Sequence, residues 1–362
     1  MSVPMQPAYP GTGSPYASEH YFHQLLGKAI AARARDVHLK VGQPPGARVR
    51  GELVYFRLDP IRSEDTEAIA HHVIANPELL RDLSALREHD TSYEAPGVGR
   101  FRVNVYRQRG SLAVVMRFIP FDVPTLEQLG APRACSDLAL KDRGLVLCVG
   151  AAGNGKSSTL AAMIGHMNHN LSRHIVTIED PIEFLHVDDR CSISQREIGL
   201  DTKSFASALR AALRQDPDVI QVGEIRDAET MDIALKAAET GHLVLSTLHT
   251  PDVFRTVNRM ISLSGEASED LRERIADALQ GIVAQRLLAR SDGQGMVLAA
   301  EVLVATGSIR ETLKRPTGNP PLKELMEGGQ HPYGMQTFEM HIKALVRDGL
   351  VDRDTGRAAI GF

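Results

Sequence analysis

The amino-acid sequence predicts an α/β protein of two domains, a small mixed α+β domain followed by a larger one built on a parallel sheet. Short alternating strands bounded by Gly and Pro fill roughly residues 20–120. Beyond them, runs of Val, Ile and Leu alternate with helical stretches, which is typical of a parallel sheet covered on both faces. The length of 362 residues fits two domains of about 150 residues each.

The composition is that of a globular protein. With 43% hydrophobic and 24% charged residues, the body of the chain is not expected to be disordered. No apolar run approaches the ~20 residues that cross a bilayer, and the amino-terminal residues lack a signal-peptide pattern. The formal net charge of −4 argues against a general nucleic-acid binder. Three widely spaced cysteines suit a reducing compartment and cannot form a four-cysteine zinc module: Cys135, Cys148 and Cys191.

Changes of composition along the chain mark the expected domain boundaries. Residues 1–19 are rich in Pro, Gly, Ser and Tyr, so we expect a flexible tail. Helical spacing and then alternating strands predict a first domain over 20–119. Three prolines within thirteen residues predict a linker at 120–136, because proline fixes φ and lacks a backbone donor. Residues 137–362 make up the second domain, in which helical patterns recur near the end.

Apolar runs predict the strands of the second domain, and stripes between them predict its helices. Asp227 is an N-cap residue, and the helix after it is expected to stop at Gly241. A second apolar stripe predicts a long helix over 271–283. The expected strands are LVLCV (145–149), IVTI (175–178), DVIQV (218–222) and LVLSTL (243–248).

A Gly-rich segment directly after the first of these strands matches the G-x-x-x-x-G-K-S pattern of a phosphate-binding loop. Its glycines let backbone N–H groups turn toward phosphate oxygens, and the helix that follows adds its positive end. Lys156 is expected to contact the β- and γ-phosphates, and the Ser157 hydroxyl to hold Mg²⁺. The alternative is a Gly-rich turn that binds nothing. The predicted nucleotide-binding residues are Gly150, Gly153, Asn154, Gly155, Lys156, Ser157 and Ser158.

Polar residues follow three of the later strands, at the edge where parallel sheets place their ligands. The segment Glu179-Asp180-Pro181-Ile182-Glu183 follows the second strand, and Gly223-Glu224 follows the third. Either carboxylate cluster could instead provide a helix cap or an ion pair. His249 follows the fourth strand, where it is a candidate sensor of the γ-phosphate. His242 precedes that strand, and an interaction with a helix terminus explains it equally well.

Together, these motifs resemble the type IV pilus retraction (twitching motility) ATPases of the secretion ATPase superfamily. The similar segments include GNGKSSTLAAMI, HIVTIEDPIEF, DPDVIQVGEIRDAET and GHLVLSTLHT, in that order, and the resemblance covers most of residues 20–350. The loop reads AAGNGKSS where the family commonly has PTGSGKST, a change that keeps the backbone cradle and the hydroxyl. The resemblance implies a PAS-like amino-terminal domain, a RecA-like P-loop domain with carboxyl-terminal helices, and a hexamer.

The resemblance also implies roles for individual residues. Glu183 is expected to polarise the attacking water, and Glu224 to be catalytic and to bind the metal. His249 and His242 correspond to the family's His box. Arg102 and Arg117 are expected to reach a nucleotide across a domain or subunit interface. They belong to an arginine cluster that solvated strand faces or a nucleic-acid surface would also explain: Arg100, Arg102, Arg107, Arg109 and Arg117.

The function that follows is a hexameric motor that hydrolyses ATP with Mg²⁺ and powers pilus retraction. Its expected partners are an inner-membrane platform protein and a paralogous retraction ATPase, with no nucleic acid, at the cytoplasmic face of the inner membrane. The shortage of cysteines favours the retraction type over zinc-bearing assembly ATPases. The alternatives are a secretion-system ATPase, an accessory retraction ATPase, a RecA-like nucleic-acid motor and a ring that regulates another motor.

Overall fold

The computed structural model describes residues 13–49, 51–119, 122–263 and 269–361. The chain forms two compact units, with the division between Phe121 and Asp122. The first twelve residues of the expected tail, and Pro120 and Phe121 in the expected linker, lie outside the described residues. In the described ranges, no helix is both long and apolar enough to cross a membrane.

The first unit is an antiparallel sheet with helices packed against it. Its strands lie in the order β3-β2-β1-β6-β5-β4. Helix α1 begins after Ser18, whose hydroxyl accepts a bond from the Tyr21 amide, and it buries Phe22, Leu25 and Leu26. After a 3₁₀ turn (Pro15–Ala17), its elements are α1 (Glu19–Ala31), β1 (Ala34–Lys40), β2 (Gly46–Val49), β3 (Glu52–Tyr55), α2 (Ser63–Val73), α3 (Pro77–Arg81), β4 (Glu88–Ala95), β5 (Gly99–Gln108) and β6 (Ser111–Ile119).

The second unit contains a parallel sheet with one antiparallel edge strand. Strand order is β13-β12-β7-β11-β10-β8-β9, and only the β12–β13 pairing among these is antiparallel. Its elements are α4 (Arg133–Ala139), β7 (Gly144–Val149), α5 (Lys156–Asn170), β8 (His174–Glu179), β9 (Ser192–Glu197), α6 (Phe205–Ala212), β10 (Val219–Val222), α7 (Ala228–Glu239), β11 (Leu243–Leu248), α8 (Val253–Leu263), α9 (Glu269–Ala278), β12 (Leu279–Ala289), β13 (Met296–Val304), α10 (Gly307–Lys314), α11 (Leu322–Gly328), α12 (Phe338–Arg347) and α13 (Arg353–Ile360).

Both faces of the second sheet are covered, which explains its continuous apolar strands. Along β7, Leu145 and Leu147 belong to one core cluster, whereas Val146 and Cys148 belong to another. Because successive side chains of a strand point to opposite faces, a strand covered on both sides has no position for solvated residues. Every residue of β7 and of β11 is buried.

The structure confirms the predicted helix after Asp227 and corrects the helix predicted over 271–283. The Asp227 carboxylate accepts a 2.8 Å bond from the Thr230 amide, and α7 ends before Gly241, whose φ is +112°. In contrast, α9 stops at Ala278 and the chain continues as β12. That strand pairs with both β7 and β13, so sheet pairing outweighs the helical spacing of its apolar residues.

Candidate functional site

The predicted phosphate-binding loop lies between β7 and α5. Gly150 has φ of +149°, and a Cβ there would lie 2.5 Å from the Gln285 carbonyl oxygen, so this position requires glycine. Gly153 and Gly155 both have φ of +79°, and Gly155 is the N-cap of α5. The loop therefore follows a path that side chains would obstruct or strain.

Lys156 is the first residue of α5, and its side chain folds back over the loop. Its Nζ atom donates to the carbonyl oxygens of Gly150 and Ala151, at 2.9 and 3.0 Å. Burial lowers the pKa of Lys156, and the negative charges of Glu224 and Glu183 partly offset that effect. The ammonium group is thus a partly desolvated cation, which is the environment in which an ionic contact is strong.

Some of the other predicted loop residues line a pocket beside the loop, and the others shape the loop itself. Ser157 lines the pocket together with Gly153 and Lys156. Asn154 does not line it; its Oδ1 atom accepts a 3.0 Å bond from the Leu287 amide and so joins the loop to β12. Ser158 is half-buried on α5 and also lies outside the pocket lining.

The pocket has a volume of about 220 Å³ and lies at the carboxyl edge of the parallel sheet. β7, β8, β10 and β11 run parallel, so the segments that follow them meet at this edge. The pocket brings together the predicted residues Gly153, Lys156, Ser157, Glu183, Glu224 and His249. It lies entirely within the second unit.

Glu224 is held by two neighbouring side chains. The Nε2 atom of His249 lies 3.3 Å from its Oε2 atom, and Arg226 donates from Nη2 to its Oε1 atom. Arg226 also lies 3.7 Å from an oxygen of Asp180. Burial alone would raise the pKa of Glu224, but the hydrogen bond and charge of Arg226, together with His249, hold it below the usual value.

A second carboxylate, that of Glu179, is buried at the end of β8. Its Oε1 atom accepts bonds from Thr177 Oγ1 at 2.7 Å and from Gln195 Nε2 at 3.1 Å. Burial raises the pKa of Glu179, and these bonds oppose the rise. The pocket thus combines acidic side chains with one lysine at the phosphate-binding loop.

Several residues in or beside the pocket were not predicted as site residues, among them the lining residues Gln221 and Phe205. Gln221 is a buried polar residue inside the apolar strand β10, and that polarity was the available signal. Phe205 begins α6 and has no comparable signal. Arg226 lies two residues after Glu224 and outside the pocket lining, and only the structure shows that its side chain turns back toward the carboxylate.

His242 is not brought into the pocket within this chain. It precedes β11, at the opposite end of that strand from His249, and its Nδ1 atom lies 3.0 Å from the Ala237 carbonyl oxygen. The strand has six residues, so at ~3.3 Å per residue it separates the two histidines by about 20 Å. In this chain His242 instead contacts the carboxyl-terminal turn of α7.

The arginine cluster lies in the first unit, and its members have different environments. Arg102 and Arg117 are opposite each other on β5 and β6, and Arg117 Nε donates to Asp36 Oδ1 at 2.7 Å. Arg107 instead donates to the backbone oxygens of Leu83, Leu86 and Gly110. Arg107 therefore has a structural role, whereas Arg102 is exposed.

A divalent metal would depend on few protein ligands. Across the described residues, no group of three or more His, Cys, Asp or Glu side chains is arranged to hold a metal ion. All three cysteines are free and buried. Ser157 and Glu224, both at the pocket, fit the usual magnesium site, in which one or two protein oxygens act together with substrate phosphates and water.

Comparisons with known proteins agree with the fold and the motifs. Residues 98–349 match the family model described as "Type II/IV secretion system protein". The type IV pilus retraction ATPase PilT of Pseudomonas aeruginosa is 40% identical over 92% of this chain and 96% of that protein. The type IV pilus ATPase PilU of the same organism is 40% identical over 91% of this chain and 85% of that protein.

A solved structure supports the same assignment. The crystal structure of the pilus retraction motor PilT with bound ADP has a TM-score of 0.83 and 38% identity to this chain, covering 93% of this chain and 96% of that one. The predicted fold class, an amino-terminal domain followed by a RecA-like ATPase domain, is confirmed by this match. The chain therefore belongs to the type II/IV secretion system protein family, as an ATPase similar to the pilus retraction ATPases.

Proposed function

We propose that this chain is the subunit of a hexameric motor that couples ATP hydrolysis to retraction of a type IV pilus. The observation that supports this most directly is one pocket that combines the loop lysine Lys156 with Glu183, Glu224 and His249. Binding needs only the loop, whereas hydrolysis needs groups that orient water and stabilise charge on the phosphoryl group. The names of the similar proteins supply the expectation of pilus retraction.

In this proposal, each side chain has a distinct task. Lys156 and the backbone N–H groups of the loop bind the phosphates, with the amino-terminal end of α5 behind them. Glu183 orients the attacking water, and Glu224 and Ser157 hold Mg²⁺. The ion supplies positive charge near the phosphates. His249, which contacts Glu224, responds to the γ-phosphate.

Arg102 and Arg117 are proposed to complete the site across a domain or subunit interface. Like charges directly opposite each other on neighbouring strands are destabilising, and Asp36 neutralises only one of this pair. Such an arrangement is well suited to binding an anion. Cations supplied by a neighbouring subunit stabilise charge on a transferring phosphoryl group, so an isolated subunit is expected to hydrolyse ATP poorly.

The proposal places the motor at the cytoplasmic face of the inner membrane, against a platform protein of the pilus machinery and beside a paralogous ATPase. An export ATPase of a secretion system is the second candidate, because the matching family model covers both type II and type IV secretion proteins. The two candidates share the same chemistry and differ in the machinery that they drive.

The test has a biochemical and a cellular part. The purified full chain should hydrolyse ATP with Mg²⁺ as a hexamer, as measured by phosphate release and light scattering. Deletion of the gene should abolish pilus retraction, and wild type but not Lys156→Ala should restore it. Loss of protein export with normal retraction would favour the secretion candidate. Strong stimulation of hydrolysis by DNA, with steep salt dependence, would instead indicate a nucleic-acid motor.

A further inference from the structure

The loop of residues 180–186, which contains Glu183, is held by side chains of the neighbouring edge strand. β9 runs parallel to β8, and the register places Gln195 beside Thr177 and Glu197 beside Glu179. Since side chains alternate along a strand, residues 195 and 197 face the same side of the sheet. That side is where the loop passes after leaving β8.

Gln195 makes three hydrogen bonds toward this region. Its Oε1 atom accepts a 2.8 Å bond from the His186 amide, and its Nε2 atom donates to the Phe184 carbonyl oxygen at 2.9 Å. The same Nε2 atom donates to the buried carboxylate of Glu179 at 3.1 Å. Both ends of one side-chain amide are therefore hydrogen-bonded to the backbone of the loop.

Glu197 and Glu179 extend the attachment to the first half of the loop. Glu197 is buried, and its Oε2 atom accepts a 3.1 Å bond from the Ile182 amide. The Glu183 amide points at Glu179 Oε2, at 3.5 Å. Backbone groups at 182, 183, 184 and 186 thus contact side chains of β8 and β9.

We infer that Gln195, assisted by Glu197, is a positioning residue that fixes the loop carrying Glu183 at the phosphate site. The inference rests on the proposed role of Glu183 in hydrolysis. Neither residue lines the pocket, so an effect on catalysis must pass through the loop. A catalytic group displaced by about 1 Å can lose as much as ~100-fold in rate, so such an attachment has a measurable consequence.

The experiment compares the full chain with Gln195→Met, which keeps the length of the side chain and removes its hydrogen bonds. Two quantities are measured: hydrogen exchange of the 180–186 amides, and kcat per nucleotide-binding site. We expect exchange at His186 to rise at least about tenfold and kcat to fall at least about tenfold. The affinity for a fluorescent ATP analogue should stay within about twofold, because the phosphate-binding loop is unchanged.

Two further variants test the same attachment. Gln195→Glu keeps an acceptor for the His186 amide but sets a second carboxylate against Glu179 Oε1 and the Phe184 carbonyl oxygen, so kcat should fall at least as far as in Gln195→Met. Ser194→Ala is the control on the same strand, since its hydroxyl lies 3.2 Å from His174 Nε2, away from the loop. It should leave exchange and kcat unchanged.

A double-mutant cycle tests whether Gln195 acts through Glu183. Added to Glu183→Gln, the Gln195→Met change should lower kcat by less than about twofold, whereas independent effects would multiply. If hydrogen exchange at His186 is unchanged in Gln195→Met, Gln195 does not hold the loop. If exchange is faster but kcat is unchanged, Gln195 holds the loop but does not position Glu183 for hydrolysis. If the wild type hydrolyses no ATP, the proposed function and the positioning role fall together, and exchange alone still decides the attachment.

Discussion

The Nε2 atom of His249 lies 3.3 Å from the Oε2 atom of Glu224, while Arg226 donates to the other oxygen of that carboxylate. Residues that follow β10 and β11 thus meet above the carboxyl edge of the sheet. Both oxygens of Glu224 have cationic or polar partners, which keeps the group ionised and oriented. This arrangement makes Glu224 the first residue to test.

Glu224→Gln should lower kcat by roughly 100-fold or more, because the amide keeps the shape of the side chain but lacks the negative charge that would hold Mg²⁺. Affinity for nucleotide should change only a few-fold, since the loop is intact. Steady-state phosphate release and equilibrium binding measure the two effects. Glu229→Gln is the control, as Glu229 is exposed on α7 and pairs with Arg210. Turnover equal to wild type would refute the assignment.

Lys156→Met should weaken nucleotide binding at least about tenfold. Hydrogen bonds to charged groups contribute about 1.5–3 kcal/mol, and 1.4 kcal/mol corresponds to a factor of ten. Titration with a fluorescent ATP analogue measures the change. The matched control, Lys141→Met, alters an exposed lysine that follows α4 and should bind normally. Equal affinities for the two variants would contradict the role of Lys156.

Gly150→Ala and Gly153→Ala should differ sharply although both glycines lie in one loop. At Gly150 a Cβ would meet the Gln285 carbonyl oxygen at 2.5 Å, whereas at Gly153 no atom lies within 4 Å. Gly153→Ala incurs the cost of a left-handed φ, about 1–2 kcal/mol, and the φ of +149° at Gly150 is also one that side chains rarely adopt. Only Gly150→Ala also forces the backbone apart, so it should have the lower melting temperature and the weaker nucleotide binding. Similar melting temperatures would show that the loop adjusts freely.

Arg107→Met should destabilise the first unit by about 1–3 kcal/mol, because backbone oxygens of Leu83, Leu86 and Gly110 lose their donors. Arg109→Met changes an exposed arginine in the same segment and should be within about 0.5 kcal/mol of wild type. Denaturant unfolding of the two variants measures the difference. Equal stability of the two variants would show that Arg107, like Arg109, serves only as surface charge.

His186 should make the protein less stable in mild acid. Burial lowers its pKa to about 4 in the folded chain, while the unfolded value is about 6.5. Between these values the unfolded state binds more protons than the folded state. The contribution of His186 to the free energy of unfolding is therefore fully present above about pH 6.5 and is lost as the pH falls toward 4. His186→Gln should therefore show a smaller drop in melting temperature from pH 7 to pH 5. An unchanged pH dependence would show that other groups dominate.

Features that depend on neighbouring residues could be predicted from local patterns in the sequence. The apolar strand, the phosphate-binding loop and the helix after it are consecutive in the chain, over residues 144–170, and the structure forms the strand and the helix where they were expected. The same holds for α7, where Asp227 and Gly241 act within one turn of the helix ends. Capping, positive φ and burial on both faces are local causes, so local patterns predict them.

Contacts between residues far apart in the chain are set by the tertiary structure. It joins Asn154 to Leu287 across the sheet, brings Gln195 to the loop of Glu183, and turns Arg226 back to Glu224. It also places 279–283, where spacing predicts the end of a helix, in strand β12, and it separates His242 from His249. The physical reason is that strand order and register set these contacts, and pairing between strands far apart in the chain leaves no periodic signal in either segment.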